Sequence, residues 1–401
     1  MSDGSVEISP LFRPLTLPCG VTLKNRIIKS AMSDSLGDGT GLPTAEQQRL
    51  YARWARGGLA ASIIGEVQGS GAFAEKPGNL VLSLDQVSAS FRDLAAAGTA
   101  DGAQLWLQLG HAGAMAHAPI SNPKGPSALD LPKLRCEALS PDEINALPEQ
   151  FANTAALAKD FGFGGVQIHA AHGFLLSQFL SPLFNKRADA YGGSLEGRMR
   201  LTLEVIEAVR HAVGQDFPVA IKINATDQLE GGFMQEEALE LVAALDQTSI
   251  DLIDISGGTY FPGAKSAFDS AGSGPYFLPF AEKARKQTSK PLMVTGGFKT
   301  RTEAEEAITL GKADVVGLAR ALVIDPELPQ KWKVDPNYDP VFPRFEAPPE
   351  GGITAWYTMR MTDWASGEDR EALGLRDAIS TYEARDRERE PRWNARFTRE
   401  P

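Results

Sequence analysis

Cysteine, long apolar runs and clustered positive charge are all scarce in this 401-residue chain. The two cysteines, Cys19 and Cys136, form no CxxC pattern, which argues against an iron–sulfur cluster and a disulfide framework. No apolar run reaches 18 residues, which argues against a membrane span. The net charge is −11, with 51 acidic and 40 basic residues, whereas a nucleic-acid binder would need a concentrated basic face.

The start of the chain carries no recognisable targeting signal. Residues 1–18 contain no basic segment followed by an apolar stretch, so we expect no signal peptide. The low cysteine content favours a reducing compartment, and together these features predict a cytoplasmic protein without membrane or nucleic-acid partners. The composition is otherwise that of a globular chain, because 43% hydrophobic residues are enough for a large core.

Short apolar segments rich in β-branched residues alternate with helix-like segments, which predicts βα units and a parallel sheet. Eight strands in one domain favour a closed (β/α)8 barrel, the TIM-barrel fold. The competing doubly wound sheet usually has a GxGxxG turn after its first strand, and here the chain reads MSDS from Met32 to Ser35. The predicted strands are 26–31, 61–66, 104–109, 165–169, 219–223, 251–255, 291–294 and 313–318.

The carboxyl ends of barrel strands build the active site in this fold. The last two predicted strands run into TGGF and GLAR, two segments that contain Gly297, Ala319 and Arg320. Barrels often bind phosphate there, since glycines let it approach backbone N–H groups and an arginine adds a bidentate contact. We therefore predict a phosphate site, the alternative being two tight turns with a surface arginine.

Histidine is rare, and four of the five residues follow the third and fourth predicted strands: His111, His117, His169 and His172. His169 and His172 share a face if the chain turns helically after the fourth strand. Their N–H groups could then hold one substrate oxygen that gains negative charge, each donor contributing about 3–4 kcal/mol. The alternatives are histidines that are hydrogen-bonded within the barrel, or a metal pair that lacks a convincing third ligand.

A lysine, Lys222, stands in the fifth predicted strand, where a buried charge is costly unless it has a partner or a task. It could pair with an anionic cofactor, act as a Schiff-base nucleophile as in lysine-dependent aldolases, or join an ion pair of the barrel. Gln108 ends the third strand with an amide that both donates and accepts, which suits a flat heterocycle with alternating N–H and C=O groups.

Five separated motifs closely resemble the Old Yellow Enzyme family, in the same order, over roughly residues 10 to 335. The NADH:flavin oxidoreductase branch of this family is the most similar. The motifs are VQIHAAHGFLLSQFLSP from Val166, with NKRADAYGGS from Asn185; LKNRIIKSAM from Leu23; QLGHAG from Gln108; KIN from Lys222; and ISGGT from Ile255.

The resemblance implies FMN held noncovalently at the barrel mouth, reduced by NADH or NADPH and reoxidised by an activated alkene or a similar acceptor. Gln108 would bind the pyrimidine edge of the flavin. Lys222 would lie near N1 and O2, where a positive charge favours the reduced state. The segment from Ser30 through Ala31 and Met32 to Ser33 would lie against the ring, with the Ser33 hydroxyl near O4.

Further positions carry roles through the same resemblance. The backbone of Val67 would touch the ring. Gly297, Ala319 and Arg320 match the phosphate site, which agrees with the prediction from the strand ends. His169 and His172 match the pair that binds the carbonyl oxygen of the substrate, so they are the predicted catalytic residues.

One position departs from the family pattern. The usual proton donor is a tyrosine two residues past the second histidine, and this chain has Phe174 there. Phenylalanine has no acidic proton to give. Either another group or water protonates the alkene, with Tyr260 and Tyr276 as candidates, or the acceptor needs no such proton, as with a quinone, a nitro compound or oxygen.

The domain prediction is a barrel-capping segment over residues 1–25, an FMN-binding barrel over 26–335 and a C-terminal extension over 336–401. The end of the extension is dense in Arg and Glu from Glu383 onward, which favours a solvated or loosely packed tail. The alternative is a helical extension at subunit contacts of a homo-oligomer; in some members of the family that the chain resembles, a late arginine reaches into the neighbouring subunit's pocket, and Arg392 and Arg396 are the candidates here. Two other functions stay open: an aldolase or lyase that uses Lys222, and a flavin-binding barrel with little catalysis.

Overall fold

A computed structural model describes residues 8–397 of the chain except 87, 265–273 and 369. Eight parallel strands form a closed ring, because the first strand pairs with both the second and the eighth. The prediction of a (β/α)8 barrel is therefore confirmed, and every predicted strand is present. The strands are β1 (Ile27–Met32), β2 (Ala61–Gln68), β3 (Gln104–Gly110), β4 (Gly165–Ala170), β5 (Val219–Asn224), β6 (Leu252–Ser256), β7 (Leu292–Thr295) and β8 (Val315–Leu318).

Helices follow the strands and cover the outside of the ring. Strands β2, β4 and β5 are buried at every position, as expected when helices cover one face and side chains fill the interior. The helices are α1 (Ala45–Arg56), α2 (Ala89–Gly98), α3 (Pro141–Asp160), α4 (Leu175–Leu180), α5 (Leu195–Val213), α6 (Gln235–Asp246), α7 (Leu278–Ala284), α8 (Arg301–Thr309), α9 (Arg320–Ile324), α10 (Leu328–Val334), α11 (Gly352–Ser366) and α12 (Leu375–Phe397).

Local sequence accounts for several helix starts. Ser140 and Glu143 form a complete capping box before α3: the hydroxyl accepts from the Glu143 N–H, and the carboxylate accepts from the Ser140 N–H. The side chains of Thr44 and Ser194 likewise accept backbone N–H groups at the starts of α1 and α5. Each cap supplies an acceptor for a donor that the helix itself cannot use.

The segment before β1 closes the amino-terminal end of the barrel. Two short strands, Leu15–Thr16 and Thr22–Leu23, pair antiparallel. Leu17 and Leu23 are buried in one cluster with residues at the starts of barrel strands, including Trp106. Since side chains fill this end, the carboxyl end of the barrel is the one that can hold a ligand.

The C-terminal extension folds back onto its own chain as α11 and α12. The indole of Trp393 is fully buried near Ala74 and Ile120, and its Nε1 donates to the Gly71 carbonyl oxygen at 3.0 Å. The exposed side of α12, with Glu383, Arg387 and Glu388, agrees with the prediction of a solvated end, whereas the packing of the other side does not agree with a loosely packed one. The buried side was missed because it also contains ionisable residues such as Asp386, so composition alone did not reveal it.

Along the described residues, no helix combines the length and the apolar character that crossing a membrane requires.

Candidate active site

A cavity opens at the carboxyl ends of the barrel strands, and ten of the twelve predicted site residues line it. They come from segments that are far apart in the chain and that the closed sheet brings to one end of the barrel. The ten are Ala31, Met32, Ser33, Gln108, His169, His172, Lys222, Gly297, Ala319 and Arg320.

Ser30 and Val67 are outside this lining. The Ser30 hydroxyl shares a 2.7 Å hydrogen bond with Oγ1 of Thr295, and Thr295 does line the cavity. The Val67 side chain is fully buried in the main hydrophobic core. The Ser30 hydroxyl thus contacts the cavity lining without being part of it, and the backbone contact proposed for Val67 stays a prediction.

The predicted phosphate end of the cavity is formed where β7 and β8 end side by side. Gly297 has φ 87°, and a Cβ there would lie 2.0 Å from the Gly274 carbonyl oxygen, so no other residue fits without moving the backbone. The guanidinium carbon of Arg320 lies 5.2 Å from the ring centroid of Tyr357, within cation–π range. Glycine backbone and arginine together fit a phosphate group.

The residues at the centre of the cavity fit a flavin ring. Ser33 Oγ is buried and has no hydrogen-bond partner in the described chain. Such an atom is costly to bury, and a bound group with an acceptor or donor at this point would satisfy it. Gln108 Nε2 donates to Gln167 Oε1 at 2.8 Å, which fixes the orientation of the Gln108 carboxamide at the cavity wall.

Lys222 and Asp254 form a buried ion pair, with Nζ 2.5 Å from Oδ2. Asp254 also accepts from Gln167 Nε2 at 3.0 Å and from Thr295 Oγ1 at 2.7 Å. The ion pair that the sequence analysis left open is therefore present, and Lys222 lines the cavity as well. The ion pair gives the buried lysine a partner, so its burial no longer requires a role as a nucleophile, and the aldolase hypothesis loses support.

His169 and His172 are brought together as predicted, with Nε2 of the first 3.3 Å from Nδ1 of the second. The turn after β4 differs from the helical one that we expected. The backbone of His172 is in the left-handed region, with φ 61°, and its backbone N–H donates to Asn224 Oδ1. Its Nε2 is 2.9 Å from Ser256 Oγ. Burial lowers the pKa of both imidazoles, that of His169 to about 3, so both rings are neutral near pH 7.

A metal site receives no support from this arrangement. Within the described ranges, no group of three or more His, Cys, Asp and Glu side chains is placed to hold a metal ion. His111 stacks on Phe73 with ring centroids 4.4 Å apart, and His117 Nε2 is 2.9 Å from Glu390 Oε1. These two histidines thus have partners of their own and are absent from the cavity lining.

Phe174 lies beside the histidine pair, at the position that the resemblance assigns to a proton donor. Its ring centroid is 4.9 Å from that of His169 and 5.9 Å from that of Tyr260. Tyr260 and Tyr276, the two candidates for a replacement donor, both line the cavity. The structure therefore keeps both hydroxyls as candidates by location.

Glu66 is a site residue that the sequence analysis missed. Its Oε1 lies 2.6 Å from His169 Nδ1, and its Oε2 accepts from Gln68 Nε2 at 3.0 Å. Burial raises the pKa of this carboxyl to about 8. The available signal was an acidic residue at the end of the second predicted strand, where a charge is unexpected unless it serves the site.

The C-terminal extension supplies part of the cavity wall, which the sequence analysis also missed. Arg392 and Arg396 take no part in it: they donate to Asp38 O at 3.3 Å and to Gln86 Oε1 at 3.0 Å in the same chain. Because the wall comes from the same polypeptide, the shape of the cavity depends on how the extension packs. The wall residues are Phe342, Pro343, Phe345, Ile353, Thr354, Tyr357, Thr358 and Tyr382.

Comparisons with known proteins agree with this geometry. The model of the NADH:flavin oxidoreductase / NADH oxidase family matches residues 10–337. The chain is 34% identical over 388 residues to the NADH-dependent flavin oxidoreductase iliE of Neonectria sp. (strain DH2), covering 88% of this chain and 50% of that protein. It is 35% identical over 352 residues to the protein of the same name from Hypocrea jecorina (strain QM6a), covering 79% of this chain and 87% of that protein.

A solved structure extends the likeness to three dimensions. The old yellow enzyme homologue from Zymomonas mobilis is similar with a TM-score of 0.72 and 25% sequence identity, covering 83% of this chain and 95% of that one. The chain thus spans half the length of the Neonectria relative and most of the length of the other two proteins.

Proposed function

Because the chain belongs to the NADH:flavin oxidoreductase / NADH oxidase family, to which the Old Yellow Enzymes are related, we propose that it transfers electrons from NADH or NADPH through FMN to an electron-poor acceptor. The acceptor is an activated alkene such as an α,β-unsaturated carbonyl, or a quinone or nitro compound. The observation that carries the proposal is one cavity that combines a phosphate end, a buried lysine and two neutral imidazoles.

Bound FMN supplies a two-electron carrier that can accept and release a hydride. Arg320 and the backbone at Gly297 would hold its phosphate, and Lys222 would supply a positive charge to the flavin. Ser33 offers the otherwise unsatisfied hydroxyl and Gln108 an oriented carboxamide. Lys222 and Gln108 are buried and held by Asp254 and Gln167, so these two groups need little reorganisation when the cofactor binds.

His169 and His172 bind the oxygen of the acceptor. Each neutral imidazole has one N–H, and Nε2 of His169 and Nδ1 of His172 are close enough to reach a single oxygen. Two such donors stabilise the negative charge that develops there during reduction. The buried ring of Phe174 adds apolar surface beside the pair, with its centroid 4.9 Å from that of His169.

The test is a visible absorption spectrum of the purified protein, repeated after anaerobic addition of NADH or NADPH. We expect a flavin spectrum that bleaches with at least one nucleotide and returns when an enone or a quinone is added. An Arg320→Met variant should lose FMN more readily, because it lacks the bidentate phosphate contact. Protein that cannot retain added FMN would contradict the proposal.

Two other outcomes separate the alternatives. A retained flavin that neither nucleotide bleaches would favour a flavin-binding barrel with little catalysis. Covalent trapping of a carbonyl compound on Lys222 by borohydride, in a protein without flavin, would favour the aldolase.

A further inference from the structure

A line of close polar contacts runs from Glu66 through His169 and His172 to Ser256. We propose that Glu66 and His169 form a proton-delivery pair that protonates the oxygen of the bound acceptor, in place of the tyrosine that is absent at position 174. This inference rests on the proposed function and adds a proton source to it.

The local backbone is shaped around the carboxyl group of Glu66. Glu66 has φ 58°, a left-handed conformation that is unfavourable for a residue with a side chain. The pairing of β2 with β3 shifts register between Ile64 and Val67, so a bulge turns this residue out of the regular strand. Strain of this kind persists where the surrounding structure enforces it, and it clusters at functional sites.

The neighbouring strand leaves room for the same carboxyl group. A Cβ on Gly110, in β3, would lie 2.3 Å from Glu66 Oε2, so only glycine allows the carboxyl group its position. Gln68 holds that oxygen with its amide, which leaves Oε1 directed at His169 Nδ1. The bulge, Gly110 and the Gln68 amide thus together fix the position of the Glu66 carboxyl group.

The ionisation of the two residues agrees with this geometry. Burial raises the pKa of Glu66 to about 8 and lowers that of His169 to about 3, so the pair is a neutral acid beside a neutral imidazole. The Glu66 O–H then donates to Nδ1, and Nε2 carries the proton on the cavity side. Nε2 of His172 lies 2.9 Å from Ser256 Oγ, and the tautomer in which this hydroxyl donates has the N–H of the His172 ring on Nδ1.

Besides His172, which contacts His169, the titratable groups around the pair belong to four elements. Glu75, on the loop after β2, and Tyr260, on the loop after β6, interact electrostatically with Glu66. Lys222 on β5 and Asp254 on β6 interact with His169 with opposite signs. Because the lysine and the aspartate also pair with each other, their electrostatic effects on the His169 imidazole largely cancel.

The proton step balances for an α,β-unsaturated carbonyl. The β-carbon gains a hydride from the reduced flavin, which NAD(P)H has reduced, and the C=C electron pair moves to form the enolate. The enolate oxygen takes the proton from His169 Nε2 as Nδ1 takes the proton from Glu66, leaving a Glu66 carboxylate and an enol. Solvent returns a proton to Glu66, and the released enol becomes the ketone in water.

The decisive variant is Glu66→Gln. Its amide can still donate to His169 Nδ1, which preserves the tautomer, but it has no proton to transfer. Ferricyanide serves as the internal control, because it accepts one electron and no proton. We expect the ratio of the enone rate to the ferricyanide rate to fall about 10²-fold or more, the usual range for loss of a general acid.

The wild-type enone rate should decline above pH 8, where Glu66 ionises, and the variant should not show this decline.

One further measurement separates proton delivery from positioning, and a second separates protonation of the oxygen from protonation of the α-carbon. Nitrogen-15 NMR of labelled histidine should show the same His169 tautomer in wild type and Glu66→Gln, and a mixture in Glu66→Ala. In the wild type, 2-methylcyclohexenone should give nearly racemic 2-methylcyclohexanone, since water protonates the α-carbon after release. This second measurement needs no variant, so it stands even if Glu66→Gln fails to fold.

Contrary results are equally specific. A Glu66→Gln variant with the wild-type rate ratio would reduce Glu66 to a positioning residue, and an enantiomerically pure wild-type product would place the proton on carbon inside the site. Wild-type protein that fails to reduce even ferricyanide with NADH or NADPH would instead count against the proposed function.

Discussion

Replacing Lys222 by methionine should destabilise the barrel mainly through the charge that it leaves behind. Methionine keeps most of the length of the side chain, so little packing is lost. Asp254, which is fully buried, would lose its cation and keep only Gln167 and Thr295 as donors. Breaking a buried pair from one side typically costs about 3–5 kcal/mol, and the two remaining donors place our expectation near the lower end, about 3 kcal/mol.

A second substitution tests that reasoning. In Lys222→Met with Asp254→Asn the uncompensated charge is gone, and the amide oxygen can still accept from Thr295. We expect the double variant to recover to within about 1 kcal/mol of the wild type, so the two changes are strongly non-additive. Urea denaturation of the FMN-free protein measures the free energy of unfolding of all four members of the cycle. A double variant as unstable as Lys222→Met would refute the assignment of the cost to charge.

The same cycle separates folding from flavin chemistry. The double variant regains stability but not the positive charge, so bound FMN should be harder to reduce in it than in the wild type. Potentiometric titration of the bound flavin would show a lower midpoint potential. An unchanged potential would mean that Lys222 lies too far from the ring to act on it.

Three further predictions follow from the site and the extension. Phe174→Tyr should give the 2-methylcyclohexenone product a facial preference that chiral chromatography detects, with flavin reduction by NADH or NADPH unchanged; a product that stays racemic would show that this position does not reach the α-carbon. The folded-state pKa of Glu66 is raised from 4.5 to about 8, so its contribution to stability is complete below pH 4.5 and is lost as pH rises toward 8. The melting temperature of the FMN-free protein should therefore fall less steeply with rising pH in Glu66→Gln than in the wild type. Equal slopes of melting temperature against pH would contradict the raised pKa. Trp393→Ala should cost about 3–5 kcal/mol in urea denaturation, because the indole is fully buried; a cost below about 1 kcal/mol would mean that α12 is not held on the barrel.

The amino-acid sequence by itself determined the barrel and most of the lining of its mouth. Eight short segments rich in β-branched residues, each followed by a helix-like segment, specify eight strands, since each is the right length to be buried between helices. In a closed parallel barrel all carboxyl ends meet at one side, so residues that follow different strands, such as His169, Lys222 and Arg320, must converge. Motif resemblance then indicated which chemistry this convergence serves.

Only the tertiary structure decided which partners these side chains have. Glu66 belongs to the site because a bulge and Gly110 turn it inward, and a one-dimensional pattern does not contain that backbone conformation. Asp254 pairs with Lys222 across neighbouring strands, a relation set by register. Tyr382 lines the cavity because α12 folds back over the barrel, which depends on contacts such as those of Trp393 with residues some 300 positions earlier in the chain. Periodicity reports which face of an element is buried, whereas the identity of the neighbour on that face depends on how distant elements pack.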